Sequence, residues 1–346
     1  MPQPARGTEG TDSVKTVSIK TVATEAGVSI ATVSNVINRP AVVSAATRDR
    51  VRAVIDALGY VPNSAARHLI TGRSTAVGLV LFGVRNPYFA NIARGAEDVL
   101  RQAGHLSVLC STDLDTAREE EYLDQLAHQR IRNVIIAPVQ VSQGWLERLR
   151  ERGFNFVLIH NADEHPEVCS VAVDDALGGE QAATHLLARG HQNIVFVTGP
   201  MNMRAPRDRY EGCLRAVLRS GRTQEALRVI EVDDFTIEQG RRAGERLLVA
   251  TQPGTAVFCA NDLLALGIMQ AAFRAGKRIP EDLAIVGYDD IESVTTTGVP
   301  LTTVRVEGHE LGRAAAQMLL DEERDPDGHA HRRKLFSPRL IERLST

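Results

Sequence analysis

Apolar and polar positions along the chain follow two different periods. Between residues 18 and 60 the period is helical. Val51, Val54, Ile55 and Leu58 share one face of a predicted helix Ala45–Leu58, which Ser44 caps. Two shorter helices are predicted before it, Ile19–Ala26 and Ile30–Ile37. Gly27 supplies the positive φ of the turn between them, and Ser29 caps the second. From Thr75 onward the pattern changes. AVGLVLFGV, NVIIAPV, FNFVLIH, NIVFVTG, TAVFCAND and LAIVGYDD are nearly continuous apolar runs that alternate with helical stretches. Such runs are strands buried on both faces, so parallel sheets with helices on both sides are expected. There are too many units for one sheet. The prediction is an all-α helix-turn-helix head on an α/β body of two subdomains, with crossings near residues 174, 304 and 335 and Leu301–Arg305 as a crossing strand. The expected boundaries are a disordered arm 1–17, a head 18–62, a connector 63–73 and a body 74–346. Within the body, one subdomain takes about 74–173 and 304–334, and the other about 174–303 and 335–343.

The second helix carries chemistry. Val33, Val36 and Ile37 face one way and can bury. Ile30, Ala31, Ser34, Asn35 and Asn38 face the other, where small and polar groups permit close approach. Two short helices joined by a glycine turn fit the second one to a DNA major groove. Asn35 can pair bidentately with adenine, and Ile30 or Ala31 can touch a thymine methyl. Ser29, Thr32 and Thr47 fall where phosphate contacts are made, with Arg48 beside them. The plain alternative is a three-helix bundle whose polar face is only solvated.

Charge sharpens that choice. The 346 residues carry a net −3, but residues 1–73 hold nine Lys and Arg against five Asp and Glu. The remainder holds 31 against 38, so a basic end sits on an acidic body. Hydrophobic residues make up 43% and charged residues 24%, which excludes a wholly disordered or collagenous chain. No apolar run reaches the ~20 residues of a membrane helix, and no secretory signal is read in residues 1–17. A cytoplasmic protein with no membrane partner is therefore expected. Cys110, Cys169, Cys213 and Cys259 lie in no metal-binding spacing and are read as reduced, buried thiols. His329 and His331, near Asp325 and Asp327, are read as a solvated loop, so no metal is assigned. No cofactor and no catalytic residue are assigned either. The chain has no G-x-G-x-x-G, Walker loop, H-E-x-x-H or G-x-S-x-G.

The head resembles the lactose-repressor (LacI/GalR) family of bacterial transcription regulators. The residues that carry this are Val22-Ala23, Ala26-Gly27-Val28-Ser29, Thr32-Val33-Ser34, Val36-Ile37-Asn38, Val43-Ser44, Thr47-Arg48, Leu58-Gly59-Tyr60 and Pro62-Asn63. Asn35 stands where family members often carry Arg, so no operator sequence carries over. The stretch Pro62–Ile70 is too short to be a stable helix alone. The resemblance implies that it folds on DNA, that two copies in a dimer enter the minor groove, and that Leu69 wedges a base step. Asn63 would cap that helix, and Ala66 lies one turn before Leu69. The partners implied are double-stranded DNA with a pseudo-palindromic operator, and a second copy of the chain. A tail ending IERLST adds no leucine heptads, so a dimer is expected and not a coiled-coil tetramer.

In open parallel sheets, ligands gather beyond the carboxyl ends of the strands. Asn86, Asn161, Asp163, Asn261, Asp262, Asp289 and Asp290 all follow predicted strands, and Arg209 lies at a loop-to-helix border. Phe89 and Phe235 offer flat faces, so a cleft for a polyhydroxylated or heteroaromatic small molecule is expected. Each residue also has a plainer role as cap, turn or core. The resemblance extends to the periplasmic-binding-protein-like body of the same regulators, through Asn261-Asp262, Ala265-Leu266-Gly267, Gly287-Tyr288-Asp289-Asp290, Arg209, Gly212 and Leu301-Thr302-Thr303. It implies effector contacts at Asp163, Arg209, Asn261 and Asp289, with Phe89 and Phe235 stacking. The expected function is a sequence-specific repressor controlled by a small-molecule effector, a carbohydrate or its phosphate before a purine. A solute-binding protein without regulatory role, and an enzyme using Asp163, Asp262 and Asp289, are the competing readings.

Overall fold

The computed structural model describes residues 17–60, 74–160, 166–250 and 254–346. The chain divides into a small helical unit and a large α/β unit. The first holds α1 (Ile19–Glu25), α2 (Ile30–Asn38) and α3 (Ala45–Leu58). Each helix starts on a serine. The hydroxyls of Ser18, Ser29 and Ser44 accept from the backbone N–H of Thr21, Thr32 and Thr47, satisfying donors a helix leaves open. Gly27 ends the first turn at φ 62° and Gly59 ends α3 at φ 60°, a conformation costly for residues with a Cβ. Val22, Ala23, Ala26, Val33, Val36 and Val51 form the core, ringed by Ile19, Ile37, Val54, Ile55, Leu58 and Tyr60.

The large unit has two lobes. Lobe one is a six-stranded parallel sheet in the order β11-β5-β4-β3-β1-β2. Its strands are β1 (Ala76–Leu81), β2 (Leu106–Ser111), β3 (Asn133–Ile136), β4 (Asn155–Ile159), β5 (Ser170–Val173) and β11 (Arg333–Phe336). Lobe two follows the order β12-β10-β9-β8-β6-β7, parallel except for β12. Its strands are β6 (Asn193–Thr198), β7 (Leu227–Glu231), β8 (Thr255–Cys259), β9 (Ala284–Asp289), β10 (Thr302–Arg305) and β12 (Arg339–Ile341). The helices are α4 (Pro87–Gln102), α5 (Thr116–His128), α6 (Gln143–Glu151), α7 (Asp175–Ala188), α8 (Arg204–Arg219), α9 (Ile237–Ala250), α10 (Asp262–Arg274) and α11 (Gly308–Arg324). Central strands read as continuous apolar runs because both faces are covered; β5, β8 and β9 are buried throughout.

The chain passes between lobes three times. The first passage follows β5 at Asp174, as expected. The other two fall later than expected. β10 pairs wholly within lobe two, with β9 and β12, so Leu301–Arg305 is not a crossing strand. The passage comes after it, before α11. Likewise β11 pairs along its length with β5 in lobe one, which moves the third passage from residue 335 to the two residues before β12. Apolar periodicity marks a buried strand without saying which of two sheets receives it.

Glycines set the helix spacing. A Cβ on Gly179 would lie 1.9 Å from the Arg209 carbonyl oxygen, and one on Gly212 would lie 1.8 Å from that of Ala176. The backbones of α7 and α8 are thus in near contact, which brings Asp175, the first residue of α7, against Arg209 of α8.

Candidate functional site

In the head, α2 presents Ile30, Ala31, Asn35 and Asn38 to solvent, while Val33 and Val36 are buried. Ile30 is 43% exposed, which a core role would not leave so open. Ser34 accepts from the Asn38 amide at 3.3 Å. Ser29 and Thr32 are joined hydroxyl to hydroxyl at 2.9 Å, and the Ser44 hydroxyl donates to Thr47 at 3.0 Å. Ile30, Ala31, Asn35 and Asn38 thus share the exposed side of a helix capped by Ser29, while Thr47 stands on the first turn of α3. Asn63, Ala66 and Leu69 lie outside the described residues, as does Asp163.

The body has a cleft between the two lobes. Phe82, Asn86, Tyr88, Phe89 and His160 line it from lobe one, and Arg209, Phe235, Asn261 and Asp289 from lobe two. Five of the six expected effector residues thus meet here; Asp163 is the sixth. Asn86 caps α4 through its side-chain oxygen, and its amide donates across the cleft to Asp289 Oδ2 at 3.1 Å. At the mouth, Arg85 lies 3.9 Å from Asp113 and 3.8 Å from Asp234. Those two exposed ion pairs are worth little energetically. Asp289 is 6% exposed, and burial lifts its carboxyl to about 7, opposed by Arg209 and the Asn86 hydrogen bond. Arg209 donates from Nε to Asp175 at 2.8 Å and from a terminal nitrogen to the Ala260 carbonyl. Its guanidinium stacks 3.7 Å from the centre of the Tyr288 ring, whose hydroxyl also donates to Asp175. Arg209 is therefore held on three sides before any ligand arrives.

The aromatic wall is larger than Phe89 and Phe235. Phe82, Tyr88 and His160 pack around Phe89 with ring centres 5.2–6.1 Å apart. Burial lowers His160 to about 4, so the ring stays neutral and shares a 3.2 Å hydrogen bond with Tyr88. Asp113, Leu114, His160 and Asp289, all lining the cleft, have positive φ. Such strain in residues with a Cβ gathers where a site is being shaped.

Two expected residues do more, or other, work. Asn261 accepts from Leu264 N–H at 2.9 Å and donates to the Phe235 carbonyl at 3.3 Å. It is a helix cap that also fixes the loop bearing Phe235. Asp262 is fully buried, accepting from Thr303 at 2.6 Å and from Ile291 N–H at 2.9 Å, and does not line the cleft. That removes it from the carboxylates an enzyme reading would use. His329 also departs from expectation: its side chain is 7% exposed and lies against Cys169, not in a solvated loop with Asp325 and Asp327.

A groove-reading head and a two-lobed ligand-binding body define a DNA-binding transcription repressor with a small-molecule effector. Residues 18–63 match the family described as bacterial regulatory proteins, lacI family, and residues 183–346 match a periplasmic binding protein-like domain. The HTH-type transcriptional repressor PurR of Pectobacterium carotovorum is 33% identical over 330 residues, which cover 95% of this chain and 96% of that one. A transcriptional regulator CelR–cellobiose complex matches at TM-score 0.70 and 30% identity, over 95% of this chain and all of that one. The lac repressor dimer bound to operator and the anti-inducer ONPF matches at TM-score 0.84 and 26% identity, over 96% and 99%. The chain belongs to the LacI family. Among the described residues no helix is long and apolar enough to cross a membrane.

Proposed function

We propose that the chain acts as a homodimer on a pseudo-palindromic operator in the cytoplasm, by binding and not by turnover, and that its effector is a carbohydrate or sugar phosphate. The carrying observation is the Asn86–Asp289 hydrogen bond in front of the braced Arg209. Vicinal hydroxyls would replace that link, donating to Asp289 and accepting from Asn86 and Arg209, whereas a phosphate would accept from Asn86, Arg209 and the protonated Asp289. Phe89 and Phe235 would take the apolar face of the ring. An effector that bridges the lobes changes their relative rotation at the three passages. That change reaches the connector, where Leu69 and Ala66 would enter the minor groove and Asn63 would cap the helix. Leu106 and Leu109, 67% and 46% exposed on edge strand β2, give lobe one an apolar edge for a second copy. The cellobiose bound by the CelR regulator favours a sugar.

Anisotropy titration against a DNA fragment from upstream of its own gene tests the reading. Binding should be sequence-dependent and salt-sensitive, and should shift about 5–150-fold with effector. Equal affinity for scrambled DNA would overturn the operator reading. A thermal-shift panel of sugars, sugar phosphates and purines tests the effector class; stabilisation by purines alone would replace the carbohydrate.

A further inference from the structure

Four side chains, one at residue 169 and three between 322 and 331, converge at the edge of lobe one, away from the cleft. Cys169 immediately precedes β5. Glu322 lies in the last turn of α11. His329 and His331 lie in the stretch that leads into β11. Cys169 Sγ is 3.0 Å from His329 Nε2 and 3.8 Å from His331 Nδ1. Glu322 Oε2 is 3.9 Å from the first of these nitrogens and 4.0 Å from the second. All four atoms fall within 4.8 Å of one another. A tetrahedral zinc with ordinary bond lengths holds its ligand atoms roughly 3.3–3.6 Å apart, so small adjustments suffice. Glu322 Oε2 is buried without a hydrogen-bond partner, which is costly for a carboxylate unless a cation compensates it.

The geometry points to a binding site for one zinc-class divalent cation formed by Cys169, Glu322, His329 and His331. A thiolate with two imidazoles and one carboxylate suits zinc or cobalt and disfavours magnesium and calcium, which take oxygen ligands. Four protein ligands close the coordination sphere, as in structural sites. Binding would displace the Cys169 thiol proton to solvent. The mechanical effect follows from where the ligands sit. β5, α11 and β11 are the lobe-one segments next to the three passages between lobes, so the ion would tie their far ends together. This inference is independent of the effector and operator reading.

The test uses the full chain without a histidine tag, stripped by chelation and re-equilibrated with zinc or with cobalt. One zinc per chain should survive gel filtration. The cobalt form should show thiolate-to-metal charge transfer and strong four-coordinate visible bands. His331→Ala, at a ring already 35% exposed, should fold and yet lose metal affinity at least about tenfold. Cys169→Ser should abolish the charge-transfer band, whereas Cys110→Ala should keep it. Zinc should raise the Tm of wild type and not of His331→Ala. Zinc lost on gel filtration, a cobalt spectrum without the thiolate band, or wild-type affinity in His331→Ala would each overturn the site.

Discussion

Replacing Asp289 by Asn isolates the cost of a carboxylate buried in the cleft. Asn tolerates the positive φ of this position and keeps an oxygen for the Asn86 amide, so the change removes only the titration. Burial raises the carboxyl from an ordinary 3.8 to about 7. A raised acid binds more protons folded than unfolded, so its contribution is fully present below pH 3.8 and is lost as pH rises through 7. Between pH 5.5 and 8, wild type should lose about 2 kcal/mol relative to Asp289→Asn, from 1.36 kcal/mol per pKa unit. Glu119 is also lifted to about 7 by burial, so the wild-type profile alone is ambiguous and the difference between the two proteins is what counts. Urea unfolding by circular dichroism at half-unit pH steps measures it. Profiles that stay parallel within about 0.5 kcal/mol across the range would refute the argument that burial raises the Asp289 carboxyl.

Three further outcomes are expected. Arg209→Ala should abolish effector response while operator binding survives; isothermal titration and anisotropy together check this. It should also destabilise the body by about 3–5 kcal/mol, because Asp175 loses its buried partner. Asn35→Ala should weaken operator binding about 5–150-fold and relax specificity at one base pair with little change in salt slope, read from anisotropy on single-base operator variants. Gly212→Ala should push α8 off α7, costing about 1–3 kcal/mol in thermal unfolding, since its Cβ would lie 1.8 Å from the Ala176 oxygen.

The head was readable almost residue by residue. Its signals are local: a serine before α2 and another before α3, a glycine after α1, and an apolar face on each of the last two helices. α3 runs over the predicted Ala45–Leu58, and α2 extends one residue beyond prediction to Asn38. The cleft was readable where strands end in polar residues, which is how Asn261 and Asp289 could be named; Arg209, inside α8, was named through the family resemblance. It was not readable where partners come from separate strands. Tyr88 and His160 are 72 positions apart, and only the sheet order brings them together. Cys169 and His329 are 160 apart, and no spacing rule connects a cysteine at one strand to a histidine before another. Asn261 shows a further limit: a cap and a cleft residue have the same sequence signature, and this one is both.

The late return of β11 governs the order in which the protein can mature during synthesis. Everything in the head is available once its 60 or so residues have been made. Lobe one must wait, because its edge strand Arg333–Phe336 and the packed helix Gly308–Arg324 are translated long after β5 ends at Val173. At ordinary elongation rates that interval lasts roughly 8–30 s. Lobe two waits as well, since Ser345 donates to the Ile285 carbonyl and accepts from Thr302 N–H in its interior. A nascent chain of this repressor would thus carry a folded helical head ahead of a sensor with both halves still open.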